Sequence, residues 1–129
     1  MQFSDDGSTL LTWDHHDVRA YAMPSGRELW RKDLLRGIEN VRVDGTGSVV
    51  VIGGGPGDST MIVDGRTGTW KHTIPREQSR IYWVAMSKDG RYAATCEFGG
   101  KIHIVDTRSG KMVSTPTESD GQSLFTPEF

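Results

Sequence analysis

The chain has 129 residues with 16 glycines, a single cysteine and a formal net charge of -2. One cysteine excludes an internal disulfide, and a near-balanced charge supplies no strong field for nucleic acid or an anionic membrane surface. The longest apolar runs are four or five residues, far below a membrane span. The length suits one domain with a real core, and many glycines with few helical patterns imply many tight turns. The opening Met1-Gln2-Phe3-Ser4-Asp5-Asp6 carries no basic or apolar signal region, so a cytoplasmic location is the default expectation.

In chain order, residues 1–3 read as the stub of a strand, followed by the turn Asp5-Asp6-Gly7. Strands are predicted over 9–13, 18–22 and 27–31, the last two joined by Pro24-Ser25-Gly26-Arg27. Helix over 29–38 competes for that last stretch, but Gly26 and Gly37 bracket it and it falls where an outer strand belongs. The second unit runs through strands 39–43, 49–52, 60–64 and 69–72, with turns at Asp44-Gly45-Thr46-Gly47 and Arg66-Thr67-Gly68-Thr69. The third runs through 81–86, 92–96, 102–106 and 111–114, with turns at Lys88-Asp89-Gly90 and Arg108-Ser109-Gly110-Lys111. The second strand of each unit is the most apolar, as expected of a strand covered on both faces. The fourth is the most polar, as expected of an outer edge that must discourage stray pairing.

Gly26, Gly68 and Gly110 are separated by two gaps of 42 residues. A constant period near that value with four short strands per unit is the pattern of a β-propeller blade. The units resemble the WD-repeat and quinoprotein-like propeller superfamily. Phe3-Ser4-Asp5-Asp6-Gly7 and Met86-Ser87-Lys88-Asp89-Gly90 are similar to its Phe-Ser-Pro-Asp-Gly turn, and Ile62-Val63-Asp64 and Ile104-Val105-Asp106 sit where a third strand would end in Trp-Asp. Ser25-Gly26-Arg27-Glu28-Leu29-Trp30 resembles the Thr-Gly-x-x-x-Trp stretch of quinoprotein-type blades, in which the Trp packs between blades. The Trp-Asp tryptophan is replaced by Tyr21, Val63 and Val105, the aspartate by Ala22 in the first unit, and Trp70 falls out of register with Trp30.

The expected fold is therefore all-β: three four-stranded antiparallel blades, completing a six-bladed propeller by head-to-tail association. Blade 1 spans 1–38 and lacks its own innermost strand, blade 2 spans 39–80, and blade 3 spans 81–116. Phe3, Val43 and Met86 hold one place in the repeat, and a further step of 43 residues falls on Phe129. Residues 117–129 are accordingly expected to form a strand that completes blade 1 of a neighbouring chain. Leu124, Phe125 and Phe129 would pack there against Leu10 and Leu11. Three blades are too few for the usual ring of about four to eight, so two chains in one ring is the simplest closure. Alternatively, the stretch is excised or engineered from a longer propeller and its partners are that propeller's other blades.

Asp14-His15-His16-Asp17 is the densest cluster of metal-capable side chains, yet neighbours on a tight turn diverge and no second His pair lies in register, so no metal site is expected. Gly53-Gly54-Gly55-Pro56-Gly57-Asp58-Ser59-Thr60 lacks the Lys and following helix of a phosphate loop. No Gly-x-Ser-x-Gly elbow is present, and Cys96 falls in a buried strand, so neither a catalytic centre nor a cofactor is expected. Trp13, Trp30, Trp70 and Trp83 are read as inter-blade packing. In a meander, turns after second strands and loops between blades share one face. That places His15, His16 and Asp17 with Arg36, Arg76, Glu77 and Arg80 on one rim, suited to a protein or peptide carrying acidic groups. The expected function is a non-enzymatic interaction scaffold that binds itself and a protein or peptide ligand, with no nucleic acid and no membrane. A fragment of a larger quinoprotein-like enzyme or sensor is the alternative.

Overall fold

A computed structural model describes residues 1–34, 37–54, 59–76 and 79–114. Among the described residues the strands form three four-stranded antiparallel sheets, each in sequence order, and none is helical. Blade 1 holds β1 (Gln2–Phe3), β2 (Thr9–Trp13), β3 (Asp17–Ala22) and β4 (Arg27–Asp33). Blade 2 holds β5 (Asn40–Val43), β6 (Val49–Gly53), β7 (Thr60–Asp64) and β8 (Trp70–Ile74). Blade 3 holds β9 (Ile81–Met86), β10 (Tyr92–Glu97), β11 (Ile102–Asp106) and β12 (Met112–Ser114). No helix of the described residues is long and apolar enough to cross a membrane. Blade 1 does have an inner strand, but only two residues of it, against four in β5 and six in β9.

The blades are copies down to their register. Phe3 faces Leu10, Val43 faces Val50 and Met86 faces Ala93. On the other side of the second strand, Leu10 faces Tyr21, Val50 faces Val63 and Ala93 faces Val105. The outer pair of every sheet slips at the same place, after Ala20, Ile62 and Ile104. Such a bulge adds twist to the outer strand.

Both faces of the middle strands are apolar, so each sheet needs a cover on each side. Leu11, Val18, Ala20 and Trp30 of blade 1 pack on Val41, Val43, Val50, Ile52, Met61 and Val63 of blade 2. On the other face of blade 2, Val51, Ile62 and Ile74 pack on Ile81, Val84, Ala93 and Val105 of blade 3. Each fully buried aliphatic side chain here contributes about 1.5–3 kcal/mol.

Polar bonds fix how the blades meet. The Trp30 indole N–H donates to the Gly65 carbonyl at 2.8 Å, and its ring lies so close over Gly68 that a Cβ there would stand 2.8 Å from Cγ. One period later His72 takes the same place: its Nε2 is 2.8 Å from the Arg108 carbonyl and its ring lies against Gly110. Gly68 and Gly110 are also left-handed, at φ +76° and +71°, so conformation and proximity both demand glycine. Near the inner edge, the Gln2 side chain accepts from Val43 N–H at 3.1 Å and the Asn40 side chain accepts from Val84 N–H at 2.9 Å.

Replacing Trp30 by Ala removes both the ring and the bond to Gly65. It should destabilise the fold by about 3–5 kcal/mol in a urea titration, a large share of the stability of a domain this size. His72→Ala, which loses a smaller and less buried ring, should cost clearly less.

Candidate interaction rim

The turns after second strands and the inter-blade connectors do share one end of the blades. The β2–β3 turn is closed by Asp14, whose carboxylate accepts from the backbone N–H groups of His16 at 2.7 Å and Asp17 at 2.8 Å. Its carbonyls then face the connector: His16 O accepts from Leu34 N–H at 2.8 Å and His15 O from Ile38 N–H at 3.4 Å. The backbone is thus pinned while the His15 and His16 side chains stay exposed. Beside Ile38, the Glu39 carboxylate pairs with the Arg80 guanidinium, whose side chain is 50% exposed. The Arg80 carbonyl in turn accepts from Phe98 N–H, on the β10–β11 turn, at 2.9 Å. One run of contacts therefore joins His15, Glu39 and Arg80 across three blades.

Asp17 is turned away from this run, toward Arg19 at 3.2 Å. Arg76 is exposed in the connector before Arg80. Arg36 and Glu77 lie outside the described residues, as do Leu124, Phe125 and Phe129 with the whole of 117–129. The expectation for Leu11 is corrected. It is wholly buried against blade 2 and has no surface left for a neighbouring chain, whereas Leu10 points to the opposite face and is half-buried. Trp70 is also corrected: it is 46% exposed and its indole N–H bonds its own strand at His72 O, because His72 occupies the inter-blade position.

The carboxylate of Asp14 is spent on its own turn, which removes the strongest anionic ligand from the Asp14-His15-His16-Asp17 cluster. Among the described residues no group of three or more His, Cys, Asp or Glu is placed to hold a metal.

Two features escape sequence reading. Glu97 ends β10 fully buried, with one carboxylate oxygen accepting from Ser79 N–H at 2.8 Å and the other 3.0 Å from Nε2 of buried His103. It locks the connector into blade 3 onto the sheet. The clue was Glu97 directly following an apolar strand, with His103 one strand across. The second feature joins inner strands: the Arg42 guanidinium lies 5.0 Å from the centre of the Trp83 ring, and burial pushes its pKa below the ordinary arginine value.

No protein-family profile matches the chain. Among solved structures it is similar to hydrazine synthase of Kuenenia stuttgartiensis, with a TM-score of 0.72 and 21% identity over 92% of this chain and 35% of that one. The likeness supports the propeller-blade fold. The chain spans about a third of the length of the structure it matches.

Asp14 belongs to a set of turn carboxylates with Asp6, Asp64, Asp89 and Asp106. Backbone N–H donors are the first cause in each, and hold every pKa below the ordinary aspartate value. A carboxylate depressed on folding stabilises the fold above its unfolded pKa, and that contribution is lost as pH falls through the folded value. Stability measured by urea titration should be flat above about pH 5 and decline below about pH 4. Asp14→Ala should speed amide hydrogen exchange at His16 and Asp17 while leaving the exchange of β6 and β10 unchanged.

Proposed function

We propose that the chain is a non-enzymatic propeller-repeat module that acts as an interaction scaffold. Its rim takes a protein or peptide with acidic groups, and its blades associate head to tail with a second copy into a closed ring. The observation that carries the reading is the pinned rim: exposed His15, His16 and Arg80 stand on backbone held by bonds to a neighbouring connector or turn, with exposed Arg76 in the connector before Arg80. Loops on a rigid scaffold present side chains with little ordering cost, which favours recognition. WD-repeat ancestry is one source of such blades and quinoprotein-like ancestry another. The ring of Trp30 over Gly68 favours the second.

The competing reading is a stretch of a larger propeller enzyme or sensor. It is supported by the likeness to a chain named as hydrazine synthase, of which this chain matches 35%. Mass detection of a bound quinone, or of a metal after dialysis, would favour that reading.

A fluorescent Glu-rich peptide tests the rim. Binding should weaken steeply with salt, and the Arg76→Ala/Arg80→Ala pair should weaken it about tenfold, mainly through the association rate. Binding indifferent to both salt and the double substitution would remove the rim from the proposal.

A further inference from the structure

The strand β5 forms one edge of its sheet, beside β6. Asp44 N–H donates to Val49 O across that ladder. Backbone groups alternate sides along a strand, so the N–H and C=O of Val41 and Val43 project from the opposite, inner edge. Side chains engage both residues there. Val43 N–H donates to the Gln2 side chain at 3.1 Å, and Val41 O accepts from Nη1 of Arg42 at 2.9 Å. The Arg42 side chain is therefore folded back along the inner edge, where its guanidinium lies over the Trp83 ring of β9.

The charge at this place is unbalanced. Arg19, Arg31, Arg80 and Arg91 face the carboxylates of Asp17, Glu28, Glu39 and Asp106. Arg42 is half-buried and faces no carboxylate among the described residues. Apart from the bond to Val41 O, its N–H donors have no acceptor among the described residues, and neither does the Trp83 indole N–H. Partial desolvation of a cation is a cost that a bound anion offsets. The donors of a guanidinium lie in its plane as a fork matched to the two oxygens of a carboxylate. Holding the guanidinium over an indole restricts its rotamers, so less ordering remains to be done on binding.

We infer that the inner edge between blades 2 and 3 binds a carboxylate, with Arg42 as its receptor and Trp83 as the surface that positions Arg42. A small free acid and an acidic side chain of a partner peptide carry the same group, and the experiment separates them. The site is distinct from the rim. Arg42 and Trp83 lie within the inner strands, whereas Arg76 and Arg80 lie in the connector before β9, so either site can fail without the other.

Titration of the full chain, labelled with nitrogen-15, with sodium succinate against sodium chloride at equal ionic strength tests this. Succinate should move the Arg42 Nε–H and Trp83 indole N–H resonances saturably, with a dissociation constant of about 1 mM, and chloride should not. Arg42→Gln should weaken binding about tenfold or more, and Arg42→Lys, which keeps the charge without the planar fork, about threefold. Succinate should raise the wild-type urea midpoint and leave that of Arg42→Gln in place. A Glu-rich peptide separates the two sources. Peptide binding that survives Arg76→Ala/Arg80→Ala but falls about tenfold with Arg42→Gln assigns the carboxylate to a partner. Saturable succinate binding at Arg42, with peptide binding indifferent to Arg42→Gln, assigns it to a small acid. Succinate and peptide both indifferent to Arg42→Gln overturn the inference. If Arg42→Gln does not fold, wild-type affinity for succinate and peptide in Arg42→Lys overturns it.

Discussion

A small sheet that is apolar on both faces has to be covered twice, and everything else in this molecule follows from that requirement. No blade buries its own middle strand. Val50 and Ile52 are closed by blade 1, and Val51, their neighbour on the opposite face, by blade 3. The covering surfaces are themselves blades, so the cheapest solution repeats one unit with one register. The slip in the outer pair recurs at Ala20, Ile62 and Ile104 for the same reason. Twist has to match from blade to blade if the faces are to stay in contact.

Apolar burial alone is indifferent to sliding, because it has no direction. Directional bonds set the relative position of the blades at three depths. At the inner edge, the Gln2 and Asn40 side chains accept from backbone N–H groups of the next blade's first strand. At the turns after first strands, Asp6 N–H donates to Gly45 O and Gly45 N–H to Lys88 O, which ties the three blades together. At the outside, Trp30 and His72 each combine a ring stack with a hydrogen bond to a turn carbonyl. Such a frame fixes the backbone from which the exposed His15, His16 and Arg80 side chains project.

The blade count, the strand order and most strand limits were legible because they depend on local physics: alternating pattern, turn glycines and a fixed period. The Asp-Gly turns were legible as turns, although the carboxylate's task of capping backbone N–H groups appears only with coordinates. The misreadings came from relations between blades. Leu11 and Leu10 look alike in sequence, but period two sends them to opposite faces, and only one face has a cover within the chain. Trp70 drew attention by its chemistry, while His72, a less conspicuous residue, holds the position that matters. Glu97 and His103 were hidden because a buried acid contradicts the apolar pattern of its strand, and its justification, the Ser79 N–H and the imidazole, comes from separate segments.

The array also implies a gradient of stability. In stacked repeats, the free energy of each unit is its own folding term plus the interfaces it shares. Blade 2 shares two interfaces, and blades 1 and 3 share one each among the described residues. Among the described residues, β1 pairs only with Leu10 and Leu11 of β2. Blade 3 offsets part of its deficit internally, through the Glu97–His103 pair and a small cluster of Ala85, Ala94, Cys96 and Ile102. Removing one partner of such a buried pair leaves the other without its compensation, so the arrangement fixes the connector at Ser79 more firmly than an apolar contact would. Opening should therefore start at blade 1 and reach blade 2 last. The rim residues inherit that order: the histidines stand on the less secure blade, and Arg80, with its carbonyl bonded to blade 3 and its guanidinium to Glu39, stands where two better-covered blades meet.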